Sequence, residues 1–152
     1  EAAGHLAAVV TQNIDGLHQR AGSDPVVELH GTIWDTVCLD CGALTPTLVT
    51  LERSEPDPRC EQCGGILKTA TISFGQSLDR EVLDAAITAA RTADLLVSVG
   101  TSLQVMPAAA LADMAKRLVV VNAQPTPYDA QADAVVRDPI GEVLPRVVAS
   151  LT

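Results

Sequence analysis

Two Cys-x-x-Cys pairs, Cys38-Leu-Asp-Cys41 and Cys60-Glu-Gln-Cys63, each followed directly by Gly, constrain this chain more than any other feature. Two intervening residues let both sulfurs of a pair reach one ion, and the Gly accepts the tight turn that follows. The gap between the pairs falls in the range of a four-Cys zinc site. Four thiolates make a closed tetrahedral shell with no position left for water. The expected ion is therefore structural, and it contributes folding energy to a segment too small for its own core. Two disulfides, or a pair of redox-active dithiols, are the competing readings of the same spacing.

The cysteines lie in a stretch, residues 33–68, that is rich in Cys, Pro and Gly and reads as a small inserted zinc-ribbon module. The flanking parts, residues 1–32 and 69–152, have a different character. Residues 7–11, 25–29, 94–100 and 118–122 are short apolar strands, three of them ending in polar residues or Gly. Val82, Leu83, Ala86, Ile87 and Ala90 share one face of a helix over residues 79–92. A helix with Pro107 in its first turn is expected over 107–116, and a closing helix over 140–151. Apolar strands alternating with helices predict an α/β fold, a Rossmann-like parallel sheet with helices on both faces. The first residues read as the tail of a helix already under way with no initiator Met, so the chain is expected to begin in mid-domain.

Aromatic residues are only 2% of a chain that is 47% apolar, so the core must be built from Val, Leu, Ile and Ala. The net charge is −9 and Lys and Arg form no run, which argues against nucleic acid as a partner. No apolar stretch is long enough to span a membrane, and the first residues lack the charged and apolar regions of a signal peptide. Paired cysteines without a secretory signal suit a reducing compartment, and a cytoplasmic location is expected.

In a parallel α/β sheet the ligand lies at the carboxyl ends of the strands. Thr11, Gln12, Asn13, Ile14 and Asp15 follow the first strand; they could line a ligand pocket or merely cap a helix. Glu28-Leu-His30-Gly31 ends the second. A histidine side chain titrates near neutral pH, which suits a general base, although a lone His is also a common structural residue. Gly100, Thr101 and Ser102 end the third strand, where backbone amides and two hydroxyls could hold a phosphate or ribose, or form an ordinary turn. Asn122 ends the fourth.

In this order, Thr11-Gln-Asn-Ile-Asp15-Gly-Leu-His18, His30-Gly31, both Cys pairs, Ile72-Ser-Phe-Gly-Gln76, Gly100-Thr-Ser102 and Val121-Asn122 resemble the sirtuin family across almost the whole chain. The resemblance implies an NAD-dependent protein-lysine deacylase, which moves the acyl group from lysine to ADP-ribose and releases nicotinamide. It implies His30 as the base that deprotonates a ribose hydroxyl. Gln12, Asn13, Ile14 and Asp15 would line the nicotinamide and ribose pocket. Gly100, Thr101 and Ser102 would hold the phosphates and adenosine ribose, with Asn122, Ala123, Gln124 and Ile140 around the adenosine. Ser73, Phe74 and Gly75 would flank the acyl-lysine of a protein or peptide substrate that pairs as an added strand. Cys38, Cys41, Cys60 and Cys63 would hold a structural zinc.

The sequence departs from the family's pattern at Gln76, where Glu is frequent, and at Lys68-Thr69, where Arg-Pro is common. Both put substrate preference in doubt. The family's opening strand, with its Gly-Ala-Gly turn at the pyrophosphate, is not among these residues, so the 152 residues alone are expected to bind NAD poorly and not to turn over. A Rossmann oxidoreductase would need a Gly-x-Gly-x-x-Gly turn, which the residues do not contain. The other alternative is a non-catalytic zinc-ribbon interaction module from a truncated sirtuin.

Overall fold

The computed structural model describes residues 4–151. Its contacts divide the chain into two compact units, one spanning residues 8–83 and the other residues 4–7 with 84–151. The helix tail expected at the start falls partly on residues 1–3, which lie outside the described residues; Gly4 to Leu6 are not helical.

In the first unit, β1 (Val9–Thr11) and β2 (Val26–Glu28) pair in parallel, with Thr11 opposite Glu28. The short helix α1 (Leu17–Arg20) makes the crossover between them. The Cys-bearing stretch is built on an antiparallel sheet in the order β4-β3-β5, from β3 (Gly31–Cys38), β4 (Leu44–Pro46) and β5 (Leu67–Thr71). Helix α2 (Thr47–Glu52) packs on β3, where the Thr47 hydroxyl donates to the Ile33 carbonyl at 2.8 Å. The ladder of β3 and β5 shifts register between Gly31 and Thr36. Gly31 has φ +71°, and a Cβ there would overlap the Ala70 carbonyl oxygen. Only glycine lets β5 come this close.

The second unit holds a three-stranded parallel sheet in the order β6-β7-β8: β6 (Leu96–Val99), β7 (Leu118–Val121) and β8 (Ala134–Val136). Central β7 is a continuous apolar run, as a strand paired on both edges and covered on both faces requires. Its Val120 is fully buried in a core with Leu103, Ala109, Ala112, Leu118 and Tyr128. Tyr128 is the one aromatic in this otherwise aliphatic core.

Helix α3 (Arg80–Thr92) has the expected face, with Ala86 and Ala90 buried and Val82, Leu83 and Ile87 half-buried. Asp79 caps it, its Oδ1 accepting from the Glu81 and Val82 amides at 2.9 and 3.1 Å. The closing helix α4 spans Ile140–Ala149. The helix expected at 107–116 is instead a 3-10 helix, Ala108–Met114. Its buried residues explain the tighter winding. Ala108 with Leu111, and Ala109 with Ala112, are spaced by three and eclipse at three residues per turn. Strand β8 has no counterpart among the sequence expectations; two of its three residues are exposed, so it forms no buried apolar run. The α/β architecture, with parallel strands, helices and a four-Cys module, is as the sequence indicates.

Candidate functional site

The four cysteines converge. Their sulfurs all lie within 4.8 Å of one another, with Cys38···Cys63 at 3.5 Å and Cys41···Cys60 at 3.6 Å. A tetrahedral zinc with bonds of about 2.3 Å sets its sulfurs about 3.8 Å apart. A disulfide would need about 2.05 Å, and all four thiols are free. The knuckles repeat one turn: the Gly42 amide donates to the Cys38 carbonyl at 3.0 Å, and the Gly64 amide to the Cys60 carbonyl at 2.8 Å. Gly42 and Gly64 take φ of +73° and +74°, as the turn requires. At Gly65 a Cβ would lie 2.9 Å from the Cys38 sulfur and would displace the Asp40 carboxylate, so a side chain there disturbs the cluster.

The backbone amide of Cys41 draws the Cys38 thiol down to about 7, against the effect of its burial. Cys63 is pushed up to about 12; the Gly65 amide favours its thiolate, but the Cys41 and Cys38 sulfurs and burial outweigh that. Such a cluster cannot carry four thiolates without a compensating cation. The donor set fits zinc.

Also in the first unit, the parallel pairing of β1 and β2 brings His30 to Gln12. His30 Nδ1 lies 3.0 Å from the Gln12 carbonyl oxygen. A carbonyl only accepts, so this bond assigns the hydrogen to Nδ1 and leaves Nε2 as the ring atom for proton transfer. The Ile72 amide donates to the His30 carbonyl at 2.9 Å, which fixes the start of residues 73–75 beside the same strand end. Asn13 donates its amide to the Thr11 hydroxyl at 3.1 Å, and the Ile33 amide bonds the Ile14 carbonyl at 3.0 Å.

Asp15 has a structural task, since its Oδ1 accepts from the Leu17 amide at 3.0 Å at the start of α1. The indole N–H of Trp34 donates to the Asp15 carbonyl at 2.7 Å. Phe74 is almost wholly exposed, at 99%. The Gln76 side-chain carbonyl accepts from the Ser73 amide at 2.8 Å, a bond that a Glu carboxylate could equally accept. Lys68 is turned to its own strand end, donating to the Thr71 carbonyl at 2.5 Å. An open cleft of ≈ 510 Å³ lies beside α1, lined by Gly16, Gln19, Arg20, Glu28, Thr32 and Trp34.

In the second unit, the ends of β6 and β7 set Gly100 and Asn122 side by side, with the Gly100 amide bonded to the Val121 carbonyl at 2.9 Å. Gly100 takes φ +64°, and a Cβ there would meet Ile140 Cδ1 at 3.1 Å. The Thr101 hydroxyl accepts from the Leu103 amide at 3.3 Å, closing the turn that carries Ser102. Leu103 is held at φ +52° with its side chain in the core. The Asn122 side-chain amide donates to the Gln124 carbonyl at 2.9 Å, folding Ala123 into a tight loop.

The Sir2 family model matches residues 1–107. This chain belongs to the Sir2 family. A Streptomyces coelicolor protein named NAD-dependent protein deacetylase 2 is 53% identical over 152 residues, covering 94% of this chain and 63% of that protein. An NAD-dependent protein deacetylase of Clostridium acetobutylicum is 43% identical, covering 97% of this chain and 61% of that protein. Among solved structures, Sir2Tm bound to a propionylated peptide superposes with a TM-score of 0.90 at 34% identity, over 98% of this chain and 65% of that one. A Sir2 complex with a p53 peptide and NAD+ gives 0.89 at 34% identity, over 95% and 63%. The chain thus spans a little over three-fifths of the length of the relatives it matches.

Two residues of this Sir2-family chain that no sequence motif marks stand close to the expected site segments. Trp34 supports the Asp15 backbone, and Arg137 donates to the backbone of Asn122 and Gln124. Both act on main-chain carbonyls, which leave no trace in a motif. No helix among the described residues is long and apolar enough to cross a membrane.

Proposed function

We propose that the protein containing this chain is an NAD-dependent protein-lysine deacylase, which transfers an acyl group from lysine to ADP-ribose and releases nicotinamide. The observation that carries the reading is His30. It is pinned through Nδ1 by the Gln12 carbonyl, with Nε2 left to act, in a Sir2-family chain whose relatives are named for this activity. Bound NAD supplies the ribose carbon that the acyl oxygen attacks. His30 would take the proton of a ribose hydroxyl at Nε2, the ring nitrogen that its bond to Gln12 leaves for proton transfer. Gln12, Asn13, Ile14 and Asp15 orient the nicotinamide and its ribose. Gly100, Thr101 and Ser102 present amides and hydroxyls to the phosphates and adenosine ribose. Asn122, Ala123, Gln124 and Ile140 border the adenosine. Ser73, Phe74 and Gly75 receive the acyl-lysine peptide as an added strand, and the exposed Phe74 side chain becomes covered when peptide binds.

Cys38, Cys41, Cys60 and Cys63 hold a structural zinc that closes the module of residues 33–68, while residues 1–32 and 69–152 carry the NAD-binding part. The protein works in the cytoplasm on acyl-lysine proteins or peptides, without nucleic acid or membrane. The 152 residues by themselves bind NAD weakly and do not turn over, because the Gly-rich pyrophosphate turn is not among them. The test is to incubate the full-length protein with NAD and an acetyl-lysine peptide and to follow free nicotinamide against His30→Ala. Release that needs both peptide and His30 supports the reading. A folded, zinc-bound protein that releases none with acetyl, propionyl or succinyl peptides would refute it and leave a non-catalytic binding module.

A further inference from the structure

We propose that Arg137 is a positioning residue for the cofactor, clamping the Asn122–Gln124 loop into the shape that receives adenosine. The inference rests on the function proposed above. The loop follows β7, and past the bond of the Asn122 amide to β8 it holds itself only locally, through Asn122 Nδ2 to the Gln124 carbonyl at 2.9 Å. Arg137 follows β8 directly and reaches across to it. Its Nη1 donates to the Asn122 carbonyl at 2.7 Å and to the Gln124 carbonyl at 2.8 Å. Its Nη2 is bonded to the Asp129 carboxylate. One planar cation thus gathers two main-chain oxygens flanking Ala123 and a carboxylate from two nitrogens held in a fixed plane, where an ammonium would have to serve all three acceptors from a single nitrogen.

The clamp is anchored in turn. The Thr126 hydroxyl donates to the other Asp129 oxygen at 2.8 Å and accepts from the Tyr128 amide at 3.2 Å. Tyr128 belongs to the core and donates its hydroxyl to Asp113 at 2.8 Å. A chain of bonds therefore runs from the core through Thr126 and Asp129 to Arg137, and ends on the loop. Each loop carbonyl bonded by Arg137 points toward the clamp, which fixes the direction of the peptide planes around Ala123 and of the Asn122 backbone. Loss of the clamp frees those planes without touching the strand pairing, since the Asn122 amide still donates to the Val136 carbonyl at 3.1 Å. The cost should fall on cofactor binding rather than on the chemical step.

The experiment compares full-length wild type with Arg137→Ala, Arg137→Lys and Asp129→Asn. Initial rates are measured against NAD and against an acetyl-lysine peptide, with thermal unfolding alongside. The expected result is an NAD KM raised about tenfold in Arg137→Ala. kcat and the peptide KM should move far less, and the NAD-induced rise in Tm should shrink in parallel. Arg137→Lys keeps the charge and stem but not the fork, so it should recover only part of the effect, and Asp129→Asn should raise the NAD KM in the same direction. An unchanged NAD KM in both Arg137 variants overturns the proposal. So does a fall in kcat with equal changes in both KM values, which marks a merely structural role. Should Arg137→Ala not fold, Arg137→Lys and Asp129→Asn decide alone. Wild type that neither consumes NAD nor is stabilised by it would instead defeat the deacylase reading, and the clamp with it.

Discussion

Gly31 stands directly after His30, and replacing it with alanine separates two effects that are usually confounded. At φ +71° any side chain meets the left-handed penalty, about 1 kcal/mol for a single non-glycine residue. At Gly31 the new Cβ also overlaps the Ala70 carbonyl oxygen, a backbone atom inside the β3–β5 ladder that cannot swing away. Gly42 is the control, because it has φ +73° and no atom lies within 4 Å of where its Cβ would sit. Gly42→Ala should therefore cost about 1 kcal/mol and Gly31→Ala about 3 kcal/mol or more, the excess being backbone displacement. For a protein of this size that is a fall in Tm of about 3 °C against about 10 °C. The Ile72 amide bonds the His30 carbonyl, so the displaced strand also carries His30 with it. Activity should drop further in Gly31→Ala than its stability alone explains at a temperature where both variants are folded. Thermal unfolding followed by circular dichroism on the zinc-loaded full-length protein measures the first part. Equal Tm values for the two variants would show that the ladder absorbs the methyl and would refute the reasoning.

Other consequences are as direct. Removing zinc with a chelator, or replacing Cys60 with Ser, should unfold the sheet of β3, β4 and β5, seen as new protease cleavage within residues 31–71, because the ion joins the two knuckles of a module that buries few side chains besides Thr36, Cys38, Thr50 and Cys60. Zinc affinity should weaken as pH falls, since protons compete for the thiolates, at Cys63 already in alkali and at Cys38 only below about 7, where the fall becomes steepest; competition titration with a metal indicator reads this out. The carboxyl of Asp129 is held below the ordinary range, first by the Thr126 hydroxyl and also by the Thr126 backbone and Arg137. A depressed folded pKa contributes stability above the unfolded value of about 3.9, and the contribution is lost as pH falls through the folded value. Asp129→Asn should accordingly be less stable than wild type at neutral pH, with the gap in thermal unfolding closing in acid. Trp34 is the single tryptophan of the chain and donates to Asp15, so NAD binding should change its emission, and Trp34→Phe should cost about 1 kcal/mol through the lost hydrogen bond.

The zinc cluster is legible in the sequence because each knuckle is local: two cysteines and a glycine suffice to write the turn. The short strands are legible for a similar reason, since runs such as Leu118-Val-Val-Val121 carry their burial in their composition. His30 can be named from sequence as a candidate but not assigned a tautomer, because its partner is the carbonyl of Gln12, eighteen residues away and adjacent only through β1–β2 pairing. Asp15 suits both readings that its sequence context offers, and its Oδ1 is used for the turn into α1. The local sequence does not show why residue 31 is glycine; in the structure its missing side chain makes room for Ala70 of the neighbouring strand. Arg137 is unmarked in the sequence because its loop targets are main-chain oxygens, which every residue possesses, and its partner Asp129 stands eight residues away.

The most direct test of the central claim is where the acyl group goes. Full-length protein, NAD and an acetyl-lysine peptide are mixed, and the products are resolved by mass spectrometry. Acyl transfer to ADP-ribose predicts nicotinamide, deacetylated peptide and acetylated ADP-ribose in equal amounts, all three lost in His30→Ala. Free acetate released without consumption of NAD, or NAD consumed with the peptide left acetylated, would contradict it.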